Sequence, residues 1–491
     1  MANSEISLLS MLQKERNKVS SKLTGKPSAV PESQISGKYE IFNLNENPFP
    51  SEPMVNKDSK DQRINGNIYE IILREKEHER ILSHFIKISQ NDPNHLRLGY
   101  IIDESYIGRG NGKSAFLLYL LHEINQNYSL DMSDGLNKCF AIYIAPEPGG
   151  RSKSFSSFVD LIFQSMVSSN IIRNCTAIMR LNAILELYPN KSEVLDKEEE
   201  ETLVENLNKE EWFKEHEIEL ARIGSYIQQN VFLQKLPSDF PLFNETGNQS
   251  LFPKMVSDDD FIDYYRNLKK GKQRIDFVFS HMISFFQAAD FNGAYILVDD
   301  YERIPDFQSS RQKRDFALEL RSVMFDGMYE NAKVGFYNIL LVLHAGVPRL
   351  IGDAWQESGM EARSPISTKS SNHVIPFEKL NKTHVLLLLK KYMDAYRIDP
   401  NQSKDIEPFT TDGAERIGEK SEYNAAQILK TAYGLLDRAA SNITISELKI
   451  DKAYVDRYIV ENDREYLEKD DAMSIDKSNP VDLQKKAKGN G

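Results

Sequence analysis

A glycine-rich turn between an apolar strand and an apolar helix constrains this sequence more than any other feature. The turn is the segment Gly110 to Ser114, with the sequence GNGKS. A short apolar run, Leu98 to Asp103, precedes it, and a long apolar stretch follows from Ala115. A short apolar run bounded by polar residues predicts a buried strand, and the longer stretch predicts a helix. Strands alternating with helices along the chain predict an α/β fold, with a parallel sheet covered by helices on both faces.

The same turn has the composition of a phosphate-binding loop. Glycines let the backbone curl until several N–H groups point at one anion, and the start of the following helix adds positive potential. The Lys113 side chain would reach the β- and γ-phosphates, and the Ser114 hydroxyl would bind Mg²⁺. The predicted phosphate-binding residues are Gly108, Gly110, Asn111, Gly112, Lys113 and Ser114.

The spacing of the glycines departs from the usual P-loop pattern G-x-x-x-x-G-K-[ST]. That pattern puts Ile107 where the outer glycine normally stands, and the glycine follows one residue later, at Gly108. The alternative interpretation is a surface turn in which lysine and serine occur by chance.

A second motif downstream favours the phosphate-binding interpretation. The apolar run that begins at Ile296 ends in adjacent carboxylates, Asp299 and Asp300. Asp299 is predicted to hold Mg²⁺, and Asp300 to polarise an attacking water, with Glu302 as a nearby substitute. The two motifs, in this order, predict a P-loop NTPase that binds ATP or GTP with Mg²⁺ and hydrolyses it.

The hydrophobic pattern divides the 491 residues into a sheet-containing core and a helical C-terminal part. From about residue 380 onward only helical periodicity occurs, whereas strands and helices alternate before it. The predicted regions are an N-terminal extension (1–60), the P-loop core (61–374) with a charged insertion (190–275), an all-helical C-terminal subdomain (375–465) and a polar tail (466–491) that is expected to be disordered.

Composition predicts a cytoplasmic protein without a membrane segment. No apolar run reaches the roughly 18 residues that a membrane helix needs. The first residues lack the basic-then-apolar build of a signal peptide. Two cysteines, Cys139 and Cys175, argue against a disulfide framework and against a metal cluster. The net charge of −12 lowers the expectation of nucleic-acid binding but allows a local basic surface.

On these motifs, the chain resembles AAA+ ATPases of the group that includes origin-recognition and transposition ATPases. The resemblance covers about residues 45 to 460. The sequence NPF at residues 47–49, followed by REKE at residues 74–77, is similar to the entry segment that packs beside the adenine in this family. The charged insertion resembles the ATP-binding components of bacterial mobile-element or anti-phage systems.

The resemblance implies a strand order and further site residues. The strand that ends at Asp299 and the strand that ends at His344 would lie between the strand of the turn and the strand that begins at Cys139. His344 would sense the γ-phosphate, with Asn338 at the other end of its strand as the weaker option. A histidine that closes a strand is also common as a structural residue.

The family also carries an arginine that completes the site of a neighbouring subunit. Arg363 is the first candidate for this arginine finger, and Arg349 is the second. An arginine on a loop can equally be only solvated. The C-terminal subdomain resembles the family's helical lid, which often supplies another arginine at the start of a bundle helix. This sequence has NAAQ at residues 424–427 instead, which favours a slow ATPase used as a switch.

Three functions are compatible with these residues. The first is an ATPase whose nucleotide state controls assembly of a homo-oligomer that acts on DNA or recruits a protein effector. The second is a signalling switch without direct DNA binding, and the third is a scaffold with a vestigial loop. DNA contact would require a basic face, and the sequence offers the runs Lys269 to Arg274 and Arg311 to Arg314. Such runs are often merely solvated.

Overall fold

The fold is known from a computed structural model, which describes residues 37–86, 92, 94–103, 110–128, 138–191, 195, 200–243, 256–402, 405–441 and 449–461. Most of the N-terminal extension, residues 192–194, 196–199 and 244–255 of the charged insertion, and the polar tail lie outside these residues. None of the helices in the described ranges is long and apolar enough to cross a membrane. Both cysteines are buried and neither forms a disulfide.

A five-stranded parallel sheet forms the centre of the core. Its strands are β1 (Leu98–Asp103), β2 (Cys139–Ile144), β3 (Gly293–Val298), β4 (Tyr337–Leu343) and β5 (Val374–Phe377). Their order is β2-β3-β4-β1-β5, so that β3 and β4 lie between β1 and β2, as the family resemblance implied. Because every neighbouring pair is parallel, all strands end on one side of the sheet, here called the carboxyl edge.

The strands are apolar because helices cover both faces of the sheet. Residues of β1, β3 and β4 are buried without exception, which matches the near-continuous apolar runs of a parallel sheet. The helices are α1 (Glu75–Ile81), α2 (Lys113–His122), α3 (Phe155–Ser168), α4 (Ile171–Leu187), α5 (Glu200–Asn206), α6 (Glu210–Glu215), α7 (Leu220–Ile227), α8 (Asp258–Asn267), α9 (Lys272–Asp276), α10 (Met282–Ala288), α11 (Ser310–Met324), α12 (Glu330–Val334), α13 (Val347–Glu357), α14 (Lys382–Asp394), α15 (Thr411–Lys420) and α16 (Ala425–Ser441).

The sheet has a different hydrophobic core on each face. One face packs on α1 and α2, through residues such as Phe85 and Phe116. The other face packs on a larger core that includes α3 and α4 and also Trp212 and Phe213 of α6. The described part of the charged insertion therefore contributes to the same core as the sheet, with its acidic residues on the outer side of short helices.

A third core joins the C-terminal helices to the segment that precedes α1. Phe49 is fully buried there, with its ring 6.2 Å from that of Tyr392 and 5.8 Å from that of Phe409. The Asn47 side chain donates a hydrogen bond to the Tyr433 carbonyl oxygen at 3.1 Å. Residues 39–50 thus pack on α14 to α16, and this part of the predicted extension belongs to the folded unit.

The strand β5 was not expected from the sequence, which assigned residues from 375 onward to the helical subdomain. That boundary is wrong, because residues 374–377 pair with β1 as the edge strand of the sheet. Pro376 lies inside β5 opposite Ile102. Proline cannot donate a ladder hydrogen bond, so it is tolerated in an edge strand, and it also conceals the strand from pattern-based prediction.

Candidate nucleotide-binding site

The glycine-rich turn lies between the carboxyl end of β1 and the first residue of α2. Gly110 and Gly112 have φ angles of 108° and 89°, which side-chain-bearing residues rarely adopt. Lys113 opens α2, so the positive end of the helix dipole points into the turn. Gly108, the outer predicted glycine, belongs to residues 104–109, which lie outside the described ranges. The local geometry of Gly110 to Ser114 is that of a turn leading into a helix N-terminus.

Asp103, the last residue of β1, holds the predicted phosphate-binding lysine. Its carboxylate forms a salt bridge with Lys113 and accepts a hydrogen bond of 3.2 Å from the Asn111 amide. Burial by itself would raise the pKa of Asp103, but the contacts with His344, Lys113 and Asn111 outweigh it and lower that pKa. Asp103 was not among the predicted site residues. Its place at the end of the strand before the turn is the signal that could have found it.

Asp299 follows β3 at the carboxyl edge and is almost fully buried. One carboxylate oxygen accepts a hydrogen bond of 2.7 Å from the Tyr143 hydroxyl of β2, and the other accepts one of 3.0 Å from the Asp300 N–H. Burial, together with the negative charge of Asp299, raises the pKa of Tyr143, so this hydroxyl remains a donor. Two donors therefore fix the orientation of the Asp299 carboxylate.

The two other predicted carboxylates differ in their surroundings. Asp300 has a φ of 45°, in the left-handed region, and its carboxylate pairs with Arg303. Glu302 is almost fully buried, with 7 % of its surface exposed. Within the described ranges neither of its carboxylate oxygens has a hydrogen bond of regular geometry. Asp300 is thus held by Arg303, whereas Glu302 contacts His344 through Oε1 and leaves Oε2 without a partner among the described residues.

His344 connects these carboxylates to the glycine-rich turn. Its Nδ1 lies 3.4 Å from an Asp103 carboxylate oxygen, and its Nε2 lies 2.8 Å from Oε1 of Glu302. The two carboxylates raise the pKa of His344 to about 9, so the ring is cationic at neutral pH. The result is a line of alternating charges, Lys113, Asp103, His344 and Glu302, across the carboxyl edge. Asn338, the weaker candidate, lies at the opposite edge and contacts His95 at 2.7 Å.

The site offers oxygen and nitrogen atoms that could bind a divalent cation. Ligand atoms of Asp300, Glu302 and His344 lie within 4.8 Å of one another. The Ser114 hydroxyl and the Asp299 carboxylate are the predicted pair for Mg²⁺. Hydroxyl and carboxylate oxygens are hard ligands of the kind that Mg²⁺ prefers.

Arg74 braces the turn from the N-terminal side, and its role there was not predicted. Its guanidinium is buried and donates hydrogen bonds to the Asn111 carbonyl oxygen at 3.0 Å and to the Glu378 carbonyl oxygen at 2.7 Å. The same group stacks on the Phe377 ring, 3.8 Å from its centroid. Arg74 therefore ties α1, the turn and the end of β5 together. Its place in the entry segment of the family resemblance was the available signal.

The start of α16 packs directly on the glycine-rich turn. The Ala426 N–H donates a hydrogen bond of 3.0 Å to the Gly110 carbonyl oxygen. A Cβ atom at Gly110 would lie 2.7 Å from the Asn424 side-chain oxygen and 2.9 Å from the Ala426 Cβ. Gly110 thus allows the close approach of the segment in which the family resemblance expects an arginine and this chain has none.

The two candidate arginines lie at different edges of the sheet. Arg349 is exposed in the first turn of α13, which starts three residues after His344. Arg363 is exposed next to Ser364, whose hydroxyl donates to the carbonyl oxygen of Leu98, the first residue of β1. At about 3.3 Å per residue, β1 separates Arg363 from its own turn by roughly 17 Å. Arg363 therefore cannot reach the glycine-rich turn of its own chain.

No protein-family model matches this chain, and neither a curated protein nor a solved structure is significantly similar to it.

Proposed function

We propose that this protein is an AAA+-like ATPase that binds ATP with Mg²⁺, hydrolyses it slowly, and couples its nucleotide state to assembly. The assembly would be a homo-oligomer that acts with DNA or with a protein effector. A nucleotide-dependent switch without direct DNA binding is the alternative within the same site.

The line of charges at the carboxyl edge is the observation that carries the proposal. Lys113 of the turn and Glu302 after β3 are joined through Asp103 and His344, although these residues come from four separate segments of the chain. Ligands of open parallel sheets bind at the carboxyl ends of the strands. The strand order β2-β3-β4-β1-β5 supports the same proposal, because it is the order expected for the family that the sequence resembles.

Each residue has a defined task in this proposal. Lys113 and the backbone N–H groups of the turn would bind the β- and γ-phosphates. Ser114 and Asp299 would hold Mg²⁺, which neutralises charge on the phosphates when it is bound. Glu302 would accept the proton of the attacking water through Oε2, which has no hydrogen-bond partner among the described residues, while Oε1 contacts His344.

The remaining residues would position these groups. His344 would hold Glu302 through its charge and stand near the γ-phosphate. Asp300 is the less suitable general base, because its carboxylate already pairs with Arg303.

The slow rate follows from two contacts. Lys113 is paired with Asp103, so a phosphate must compete with a carboxylate for the same ammonium group. The start of α16 also contacts the turn through the Ala426 N–H and the Asn424 side chain, neither of which carries a positive charge toward a γ-phosphate. Both features fit a switch that changes state with bound nucleotide better than a fast motor.

Sedimentation velocity of the purified chain tests the coupling to assembly. The protein is measured without nucleotide, with ADP, and with a non-hydrolysable ATP analogue. Larger species in the presence of the ATP analogue alone, which Arg363→Ala abolishes, are the expected result. Arg349→Ala is the matched variant, and its effect decides between the two arginine candidates. The same sedimentation coefficient in every nucleotide state would reject assembly and leave the switch alternative.

A further inference from the structure

Two basic runs that are separate in sequence lie close to one short segment at the start of α3. The Gly271 N–H, inside the first run, donates a hydrogen bond of 3.2 Å to the Ser156 hydroxyl. The Gln308 side chain, just before the second run, donates to the Lys153 carbonyl oxygen. Both regions therefore contact the same segment, residues 150–157.

Charge in this region is opposite to that of the whole chain. Residues 150–157, 269–274 and 306–315 carry two, four and three basic side chains, respectively, and two acidic ones in all. These three ranges thus have a net charge of +7 in a chain whose total is −12. Three of the counted cations, Arg151, Arg274 and Arg314, pair with carboxylates outside the ranges, whereas the lysines have no such partner in the part of the chain that the structure describes. We call the surface formed by the other six cations the basic surface: Lys153, Lys269, Lys270, Lys272, Arg311 and Lys313.

The lysines of the basic surface lack ion-pair partners among the described residues. No carboxylate lies within 4.0 Å of Lys269, Lys270 or Lys272 there, and all three are exposed. Other surface lysines are ion-paired, such as Lys382 with Glu415 at 3.3 Å and Lys390 with Asp405 at 2.6 Å. Unpaired cations concentrated on one surface are the electrostatic footprint of a polyanion site.

An exposed aromatic ring lies next to the same segment, residues 150–157. Phe307 is 51 % exposed although it is a large apolar side chain. It covers Gly150, since a Cβ atom there would lie 2.8 Å from the Phe307 Cβ. A basic surface with an exposed ring is the combination that binds single-stranded nucleic acid, because phosphates contact the cations and a base stacks on the ring.

We propose that the basic surface and Phe307 bind a single strand of nucleic acid. The phosphates would contact the lysines and Arg311, and one base would stack on Phe307. Asp306 and Asp315 are the acidic groups within the region, and Asp315 lies 3.7 Å from Arg311. These carboxylates lie on the α11 side, so the three lysines of residues 269–272 provide the stronger part of the surface.

This inference rests on the proposed ATPase function, because the nucleic acid would be the partner of that ATPase. Phe307 follows Glu302 by five residues, in the connection between β3 and α11. Nucleic-acid binding at Phe307 and ATP binding near Glu302 would thus both affect the connection between β3 and α11. Binding of the strand itself is measured without ATP, so the two proposals can fail separately.

Fluorescence anisotropy with a labelled oligo-dT of about 20 nucleotides tests the inference on the full chain. The wild type is expected to bind, with an affinity that falls steeply between about 50 and 200 mM salt. The triple variant K269Q/K270Q/K272Q should weaken binding by about tenfold or more. The matched control K420Q/K430Q/K452Q removes the same charge from the C-terminal helices and should change affinity less than about twofold.

The variant Phe307→Ala separates base stacking from charge. It should weaken oligo-dT binding by about five- to a hundredfold and leave binding of a duplex of the same length nearly unchanged. Thermal melting and binding of a fluorescent ATP analogue are measured for each variant, to show that it is folded.

Three outcomes would overturn the inference. They are an absence of wild-type binding, an equal loss in the control triple variant, and a preference for duplex that Phe307→Ala does not affect. Failure of the wild type to bind ATP would instead contradict the proposed function, whatever the result with oligo-dT.

Discussion

Lys113 of the glycine-rich turn forms a salt bridge with Asp103, the last residue of β1, and both side chains are buried. The ammonium group that is proposed to bind phosphate is therefore already neutralised by a carboxylate of the same chain. A phosphate bound at the turn would have to displace or share this partner, which would raise the dissociation constant of the nucleotide.

Replacing Asp103 with asparagine should tighten ATP binding. The amide keeps the shape of the side chain but removes the negative charge that competes for Lys113 and repels the phosphates. The dissociation constant should fall by about three- to tenfold, which corresponds to roughly 1 kcal/mol. Isothermal titration calorimetry measures this, with Asp259→Asn on the exposed surface of α8 as the control. Weaker binding by Asp103→Asn would show instead that the carboxylate holds Lys113 in its productive position.

The His344 ring should make stability depend on pH. Its pKa is raised to about 9 by Asp103 and Glu302, whereas an unfolded histidine has a pKa of about 6.5. Since the folded pKa is the higher one, the stabilisation is complete below about pH 6.5 and is lost as the pH rises through about 9. His344→Gln should therefore lower the melting temperature clearly at pH 6 and little at pH 10. The difference in free energy should be about 1–3 kcal/mol, because the ring is partly exposed.

A background that lacks both carboxylates shows whether they cause the pH dependence. In an Asp103→Asn/Glu302→Gln background, His344→Gln should have nearly the same effect at both pH values. An unchanged pH dependence in that background would mean that other groups cause it.

Glu302 should matter more for hydrolysis than Asp300. Loss of a general base lowers turnover by about a hundredfold or more. We expect a loss of this size for Glu302→Gln, because Oε2 of Glu302 has no partner among the described residues. The loss should be smaller for Asp300→Asn, whose carboxylate pairs with Arg303. Phosphate release at saturating ATP measures the rates, and ATP binding should persist in both variants. The double variant should bind ATP without hydrolysing it, so unchanged turnover would show that water is activated elsewhere.

Gly110→Ala should destabilise the contact between the turn and α16. The φ of 108° is strained for alanine, and the added Cβ would collide with Asn424 and Ala426. Gly149→Ala is the matched control, because Gly149 has a similar φ of 92° but no atom within 4 Å of such a Cβ. Strain alone should cost about 1–2 kcal/mol at Gly149, and the collision should add to this at Gly110. Equal melting temperatures of the two variants would show that α16 does not pack closely against the turn.

The parts of the site that are local in sequence were predictable. Gly110 to Ser114 show the turn and the helix start directly, and Asp299 to Glu302 follow a recognisable apolar strand. The order of the strands followed from the family resemblance and agrees with the observed sheet.

Contacts between distant segments could not be read from the sequence. Tyr143 orients Asp299 across 156 residues, and Arg74 reaches the end of β5 across 304 residues. No periodicity relates such pairs, because the fold alone brings them together. The strand β5 was missed for the separate reason that it is short and contains Pro376, which weakens the strand pattern.

Binding of ATP to wild type and Lys113→Ala tests the central claim most directly. Calorimetric titration of ATP in the presence of Mg²⁺ should give micromolar affinity for the wild type and no measurable binding for Lys113→Ala. Lys76→Ala removes an exposed lysine from the neighbouring helix α1 and should bind like the wild type. Micromolar affinity in Lys113→Ala would contradict the assignment of the glycine-rich turn as the phosphate-binding site.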